Sequence, residues 1–148
     1  MAKAEEKKTP KNSKAATERK YFEGLGRRKE ATARVRFYPG AEKKDANFLV
    51  NGADYKSYFP AVRFQKSAEA PLRAISEKGS VEAKVYGGGV MAQSEAVTLG
   101  LARALVKFNP DLKAELRTRG YLTRDPRMVE RKKFGLKKAR RAPQWRKR

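Results

Sequence analysis

The sequence predicts a two-layer α+β domain that is followed by a basic C-terminal tail. Two segments alternate apolar and polar residues with the period of two that is typical of half-buried strands, and a third short strand is predicted before an Asn-Gly turn signal. A later segment carries an apolar stripe at the spacing of a helix, and neither period continues after Gly120. Roughly 100 residues in this arrangement are enough to bury one modest core.

The predicted strands are short and each ends at a recognisable turn signal. The clearest one begins at Ala31, and its polar positions give it a basic outer face that includes Arg34 and Arg36. The three strands with their end signals are Ala31–Tyr38 before Pro39-Gly40, Asn47–Val50 before Asn51-Gly52, and Val81–Tyr86 before Gly87-Gly88-Gly89.

The helices follow from apolar spacing and capping residues. The main one covers Met91–Phe108, with its stripe at Val97, Leu101, Leu105 and Phe108. A helix also includes Pro71–Ile75. After the main helix, Asn109 as N-cap and Pro110 at the first position predict a short helix, lined by Leu112 and Leu116, that stops at Gly120.

Charge divides the chain into three parts. The formal net charge is +21, from 37 Lys and Arg against 16 Asp and Glu. Residues 1–20 carry +4, residues 21–120 carry +7, and residues 121–148 carry +10. We therefore predict a disordered N-terminal extension (1–20), a globular α/β RNA-binding domain (21–120) and an extended basic tail (121–148). A transit peptide is the alternative for the extension, and its acidic residues Glu5, Glu6 and Glu18 argue against it.

This excess of positive charge indicates a polyanionic partner, and nucleic acid is the first candidate. An anionic membrane is disfavoured because the sequence has no long apolar run and no long basic amphipathic helix. Cysteine and histidine are both absent, which excludes the common zinc sites and thiol chemistry. We expect no enzyme activity, no metal site and no cofactor.

Two glycine-rich segments have more than one interpretation. Gly24-Leu25-Gly26 precedes Arg27-Arg28-Lys29, so the glycines would let the chain approach a nucleic-acid backbone beside three cations; a solvated charge run is the alternative. Gly87-Gly88-Gly89 lacks the residues of a nucleotide-binding loop. It is interpreted as a strand-to-helix turn with close backbone packing, with direct phosphate contact as the alternative.

The tail carries the strongest indication of nucleic-acid binding in the sequence. Twelve cations against two acids in 28 residues exceed an ordinary solvated face, and arginines near its end suit forked contacts to phosphate. Asp125 and Glu130 are expected to form ion pairs within the tail, and Glu95 to lie on the outer side of the main helix. Trp145 either stacks on a base or ribose or fills a pocket of a partner protein.

These segments together resemble the bacterial type of small-subunit ribosomal protein nine. The resemblance runs from about Gly24 to Arg148, and its C-terminal block is long and specific. It is carried by Gly26-Arg27-Arg28-Lys29, Ala33-Arg34-Val35, Asn51-Gly52, Tyr58-Phe59, Gly87-Gly88-Gly89, Thr123-Arg124-Asp125, Val129-Glu130-Arg131-Lys132-Lys133 and the segment from Gly135 to Gln144.

The resemblance implies a four-stranded sheet with helices on one face, similar to the second domain of ribosomal protein S5, with a left-handed βαβ crossover. It also implies a structural place in the head of the small subunit, on ribosomal RNA and beside neighbouring head proteins, in a bacterial cytoplasm or a bacterial-type organelle. By position, Lys147 and Arg148 match the family's terminal Lys-Arg and would contact the anticodon stem-loop of peptidyl-site tRNA. Arg146 adds a charge just before this pair and is expected to contact the tRNA with it. Ribosomal RNA would meet Arg27, Arg28, Lys29, Arg34, Arg36, Gly87, Gly88, Gly89, Arg124, Arg127, Arg131, Lys132, Lys133, Lys137, Lys138, Arg140 and Arg141.

Three features depart from that family's usual pattern. Residues 1–20 have no counterpart in its short bacterial form, Trp145 stands where Tyr or Phe is usual, and Arg146 replaces a small polar residue. Two other classes of function stay open at this point: a free architectural nucleic-acid-binding protein, and an enzyme on the same fold.

Overall fold

One layer of the structure is a mixed sheet, and the helices cover one of its faces. The structure, a computed structural model, describes residues 20–40, 47–75 and 78–146. The predicted α+β class is confirmed. Apart from Lys20, the predicted N-terminal extension lies outside the described residues. In the described part, the strands are β1 (Phe22–Arg28), β2 (Ala31–Pro39), β3 (Phe48–Val50), β4 (Ala53–Asp54) and β5 (Gly79–Tyr86), in the spatial order β1-β2-β5-β3-β4.

Strand β2 forms the centre of the core, as its sequence predicts. It pairs antiparallel with β1 on one side and with β5 on the other. Its apolar positions, Ala31, Ala33, Val35 and Phe37, have no exposed surface. Burying a side chain the size of Val or Phe contributes about 1.5–3 kcal/mol, so these alternating positions fix the register of the strand, since a slip by one residue would expose them all.

The fifth strand corrects the four-stranded sheet that the resemblance implied. Asn51 and Gly52 have φ angles of +50° and +84°, and Val50 pairs with Ala53 across them. Two central residues with positive φ are typical of the two-residue hairpin loop in which Asn-Gly is favoured. The turn therefore does more than end β3: it folds the chain back into the two-residue strand β4.

Strands β3 and β5 are parallel, and two helices connect them. These are α1 (Tyr55–Tyr58) and α2 (Val62–Ile75). Parallel neighbours require such a crossover, because a tight turn can join only antiparallel strands. The left hand of this crossover and the likeness to the S5 domain stay predictions.

The main helix, α3 (Val90–Phe108), confirms the predicted apolar stripe. Val97, Leu101 and Leu105 have no exposed surface, and Phe108 packs against the same core and edge-on against Phe37. The stripe therefore joins α3 to the apolar face of β2.

Strand β1, which periodicity did not predict, lies against the backbone of α3. A Cβ atom added to Gly26 would lie 1.8 Å from the carbonyl oxygen of Ala96, and one added to Gly24 would lie 2.0 Å from that of Gly100. Only glycine permits this approach. The interpretation of these glycines as points of close approach to nucleic acid was therefore wrong, because the backbone that they approach is that of α3.

Helix α2 begins well before the predicted segment Pro71–Ile75, so that Pro71 lies inside the helix. Pro71 has no N–H to donate to the carbonyl of Ser67 four residues earlier. The hydroxyl of Thr98, on α3, donates to that carbonyl at 2.7 Å. A donor from another helix thus satisfies the group that the proline leaves unpaired, and α2 runs from Val62 through Pro71 to Ile75.

The last helix, α4 (Leu112–Thr118), begins later than its capping residues predicted. Asn109 caps the C-terminus of α3, and its side-chain oxygen accepts the amide of Asp111 at 3.1 Å. This is the hydrogen bond that an N-cap makes, so the capping role predicted for Asn109 is confirmed, while the regular helix begins at Leu112 and not at Pro110. The predicted stop is confirmed: at Gly120 φ is +78°, and the amide of Tyr121 donates to the carbonyl of Leu116 at 3.0 Å, as in a Schellman motif.

Candidate nucleic-acid interface

The basic tail starts directly after the cap of α4. Residues 121–146 form neither helix nor strand. All ten of their cations are exposed, and within the described residues only Arg140 is paired with a carboxylate. The ten are Arg124, Arg127, Arg131, Lys132, Lys133, Lys137, Lys138, Arg140, Arg141 and Arg146. The tail therefore presents a charge that the carboxylates of the described residues leave largely unpaired.

The start of the tail is attached to the body by Arg28, at the end of β1. Its Nε atom lies 2.5 Å from Oε2 of Glu95 on α3, and its Nη2 atom lies 3.0 Å from Oδ2 of Asp125. Its Nη1 atom donates to the carbonyl of Arg127 at 2.5 Å. The side chain is only 13% exposed. One guanidinium thus connects the sheet, the main helix and the tail.

This attachment changes three expectations from the sequence. Arg28 was predicted to contact RNA, but its nitrogens already bind groups of this chain. The Asp125 side chain pairs with Arg28 of the body and not with a cation of the tail, although it also accepts the amide of Arg127 at 2.9 Å. Glu95 is half-buried and paired, so its role goes beyond that of an ordinary surface carboxylate.

Residues 130–141 fold back on themselves, and we call them the cationic loop. Arg140 pairs with Glu130 through two nitrogens, one of them, Nε, at 2.9 Å from Oε2. The amide of Lys137 donates to the carbonyl of Arg141 at 2.7 Å, and Gly135 has a φ of +75°. The ion pair within the tail predicted for Glu130 is confirmed. A uniformly extended tail is not what the structure has, because these contacts close the chain into a loop.

The ion pair that closes the cationic loop has the expected electrostatic effect on both partners. The hydrogen bond from Arg140 lowers the pKa of the Glu130 carboxyl below its ordinary value. The same bond raises the pKa of Arg140. Both groups are therefore charged at neutral pH, and the pair persists until acid protonates Glu130.

The outer face of the sheet is less basic than the sequence indicates. Glu23 of β1 lies beside both arginines of β2, with its oxygens 3.2 Å from Nη2 of Arg34 and 3.4 Å from Nε of Arg36. The hydrogen bond with Glu23 raises the pKa of Arg36, whose guanidinium also lies 4.8 Å from the centre of the Tyr21 ring. These two predicted RNA contacts thus share their charge with a neighbouring carboxylate.

Two predicted cations at the β1–β2 turn are exposed. Lys29 occupies the turn itself, with a φ of +50°, and Arg27 points outward from β1. No carboxylate within the described residues pairs with either. Unlike Arg28 between them, they keep their charge available to a partner.

The glycine turn between β5 and α3 is closely packed at two of its three residues. A Cβ atom on Gly87 would lie 2.6 Å from the carbonyl oxygen of Glu30, and one on Gly88 would lie 3.0 Å from Ala31, while Gly89 is open. Gln93 donates to the carbonyl of Gly87 at 3.1 Å. The interpretation as a packed turn is confirmed; contact with phosphate stays a prediction.

The tip of the tail is exposed as far as the structure describes it. Trp145 is 85% exposed and Arg146 is exposed as well. The other two predicted tRNA contacts, Lys147 and Arg148, lie outside the described residues. Neither of the two interpretations of Trp145 is favoured by a contact in the structure.

The described part of the chain offers little else for chemistry. It holds no group of three or more His, Cys, Asp or Glu that could bind a metal ion. None of its helices combines the length and apolar character needed to cross a membrane. The two carboxylates of the cleft beside α3, Glu95 and Asp125, are both paired with Arg28.

The comparison of this sequence with known proteins identifies its family. The sequence profile of the family described as ribosomal protein S9/S16 matches residues 26–148. Small ribosomal subunit protein uS9 of Thermus thermophilus is 50% identical over 129 residues, which cover 86% of this chain and 98% of that protein.

Two further relatives bear the same name. The uS9 protein of Cytophaga hutchinsonii is 47% identical over 126 residues, 84% of this chain and 95% of that protein. The uS9 protein of Mycobacterium avium is 48% identical over 126 residues, 84% of this chain and 74% of that protein. The profile spans the body and the tail, and the relatives cover most of the chain, so the chain belongs to the ribosomal protein S9/S16 family, in its bacterial form.

Proposed function

We propose that this protein is a structural component of the small ribosomal subunit, that it binds ribosomal RNA in the head of the subunit, and that the tip of its tail contacts the anticodon stem-loop of peptidyl-site tRNA. It would lie beside other head proteins, in the ribosomes of a bacterial cytoplasm or a bacterial-type organelle. The observation that carries the proposal is the tail, in which nine of ten described cations have no carboxylate partner within the described residues.

The geometry suggests a division of the predicted RNA contacts. Arg27 and Lys29 on the body, together with the tail cations from Arg124 to Arg141, would bind phosphate directly. Arg34 and Arg36 would do so while sharing Glu23. Arg28 is better suited to holding the tail than to binding RNA, because its donors already have partners.

The salt dependence of RNA binding tests this division. Each neutralised phosphate contributes about 0.7–0.9 to the slope of log K against log salt. Replacing the tail cations Lys132, Lys133 and Lys137 with Gln should therefore lower the slope by about 2–3 for a fragment of ribosomal RNA. A matched triple variant at Lys66, Lys84 and Lys113, exposed body lysines, has the same net charge. It should change the slope by less than about 1.

Equal slopes for the two triple variants would show that RNA binds the overall charge of the protein and not its tail.

The tRNA contact is tested in subunits reconstituted with a chain that ends at Trp145. Peptidyl-site tRNA should bind about threefold to tenfold more weakly, because other contacts persist while a few charge-assisted hydrogen bonds are lost. Assembly should be unaffected. Unchanged tRNA affinity would contradict the role of the tip.

A further inference from the structure

The cationic loop has an aromatic ring at its turn. Phe134 is 97% exposed, although it lies in a segment that is closed by an ion pair and a backbone hydrogen bond. Gly135, directly after it, adopts the left-handed conformation that reverses the chain. The loop therefore has a defined shape, and that shape leaves the ring in solvent.

The surroundings of Phe134 indicate what would cover it. Six exposed cations without a carboxylate partner in the described part lie in the same loop: Arg131, Lys132, Lys133, Lys137, Lys138 and Arg141. An apolar pocket of a protein would have to bring a matching number of acids to meet them. A nucleotide brings both parts at once, because its base has an apolar π-face and the phosphates on each side are negative.

The need for an accessible base face restricts the possible RNA ligands further. In a duplex both faces of a base are covered by its neighbours, so a protruding ring reaches only a base that is unpaired or splayed out. Stacking between a base and an aromatic side chain tolerates any base, since each has a π-face. The loop thus suits an unpaired nucleotide of any identity that is flanked by phosphates.

We propose that Phe134 is a stacking platform for one unpaired RNA base, with the loop cations holding the flanking phosphates and the Glu130–Arg140 pair keeping the loop closed. This inference rests on the proposed RNA binding and deepens it by naming the RNA feature that the loop recognises. Glu130 then has a positioning role, because it acts on the RNA only through the shape of the loop.

The probes for the test are two RNA hairpins of equal length, one fully paired and one with a single bulged adenosine. Wild-type protein should prefer the bulged hairpin. F134A and F134L should lose about 5- to 150-fold in affinity for the bulged hairpin, the range expected for one stacked base. F134Y should keep it. V129A is the matched control, because Val129 is 90% exposed in the same tail but has no ring.

Glu130 offers a variant in which shape and charge predict opposite results. E130Q removes an acid, so charge alone would strengthen binding to both hairpins. If loop closure matters, E130Q should instead lose most of the preference for the bulged hairpin. A gain for both hairpins with the preference intact would overturn the positioning role of Glu130.

The remaining outcomes separate this inference from the proposed function. If F134A bound the bulged hairpin as tightly as the wild-type protein does, the stacking proposal would be overturned. The proposed binding to RNA would still hold as long as the protein bound the paired hairpin. Full affinity in F134L together with loss in F134A would indicate an apolar pocket and not a base, which also overturns stacking. Failure of the wild-type protein to bind either hairpin at low salt would contradict the proposed function.

Discussion

The contact between β1 and α3 leads to a strong prediction for Gly26. In G26A the new Cβ atom would lie 1.8 Å from the carbonyl oxygen of Ala96 and 2.6 Å from the amide nitrogen of Gly100. Both neighbours are backbone atoms of a buried helix, so no side chain can rotate away. Overpacking of a core costs about 1–3 kcal/mol, and we expect the upper end of that range because the strand and the helix must separate.

The free energy of unfolding, from urea denaturation followed by far-UV circular dichroism, measures this cost. A loss near 3 kcal/mol would lower the melting temperature by roughly 12–24 °C in a domain of this size. L25A is the control, because Leu25 lies in the same strand but points towards solvent; it should cost less than about 1 kcal/mol. If G26A were no less stable than L25A, the glycines would not be required by the approach to α3.

Two further variants test contacts between distant parts of the chain. R28Q removes the link from β1 to Glu95 and Asp125, and leaving these carboxylates without their partner should cost about 1–3 kcal/mol. Trypsin should also cleave the start of the tail faster in R28Q than in R119Q, whose lost ion pair lies within α4 and its cap; equal cleavage rates would argue against the attachment. T98V leaves the Ser67 carbonyl without its donor and should destabilise the protein by about 1–3 kcal/mol in urea, whereas T98S should not, and equal stabilities would show that the bond to Ser67 is dispensable.

The sequence predicted those elements whose packing signal is local. Strand β2 and helix α3 each carry their apolar residues at a regular spacing, and every such position is buried or packed on the core. Strand β1 gave no such signal, because its inward positions Gly24 and Gly26 have no side chain. These glycines are needed because the backbone of α3, about 75 residues later in the chain, packs against them. The sequence alone does not show this contact.

The part of helix α2 before Pro71 and the attachment of the tail were not predicted, for a related reason. The sequence indicated a helix only at Pro71–Ile75, since the hydroxyl that compensates for the proline inside α2 belongs to Thr98, 31 residues after Ser67. Arg28 was interpreted by its charge alone, while its partners Glu95 and Asp125 lie 67 and 97 residues away. The presence of a cation in a sequence does not show whether the folded protein pairs it with a carboxylate.

The two acids of the tail clarify how a polycation of this kind keeps a defined shape. Like charges repel, so residues 121–146 alone would be expected to stay open. Asp125 holds the first residues of the tail on Arg28 of the body, and Glu130 closes the cationic loop through Arg140. Each acid therefore fixes geometry at one point, and between them they pair with only one of the ten described tail cations. The tail is shaped by its few acids without being neutralised by them, which leaves its charge available to the RNA that we propose as its partner.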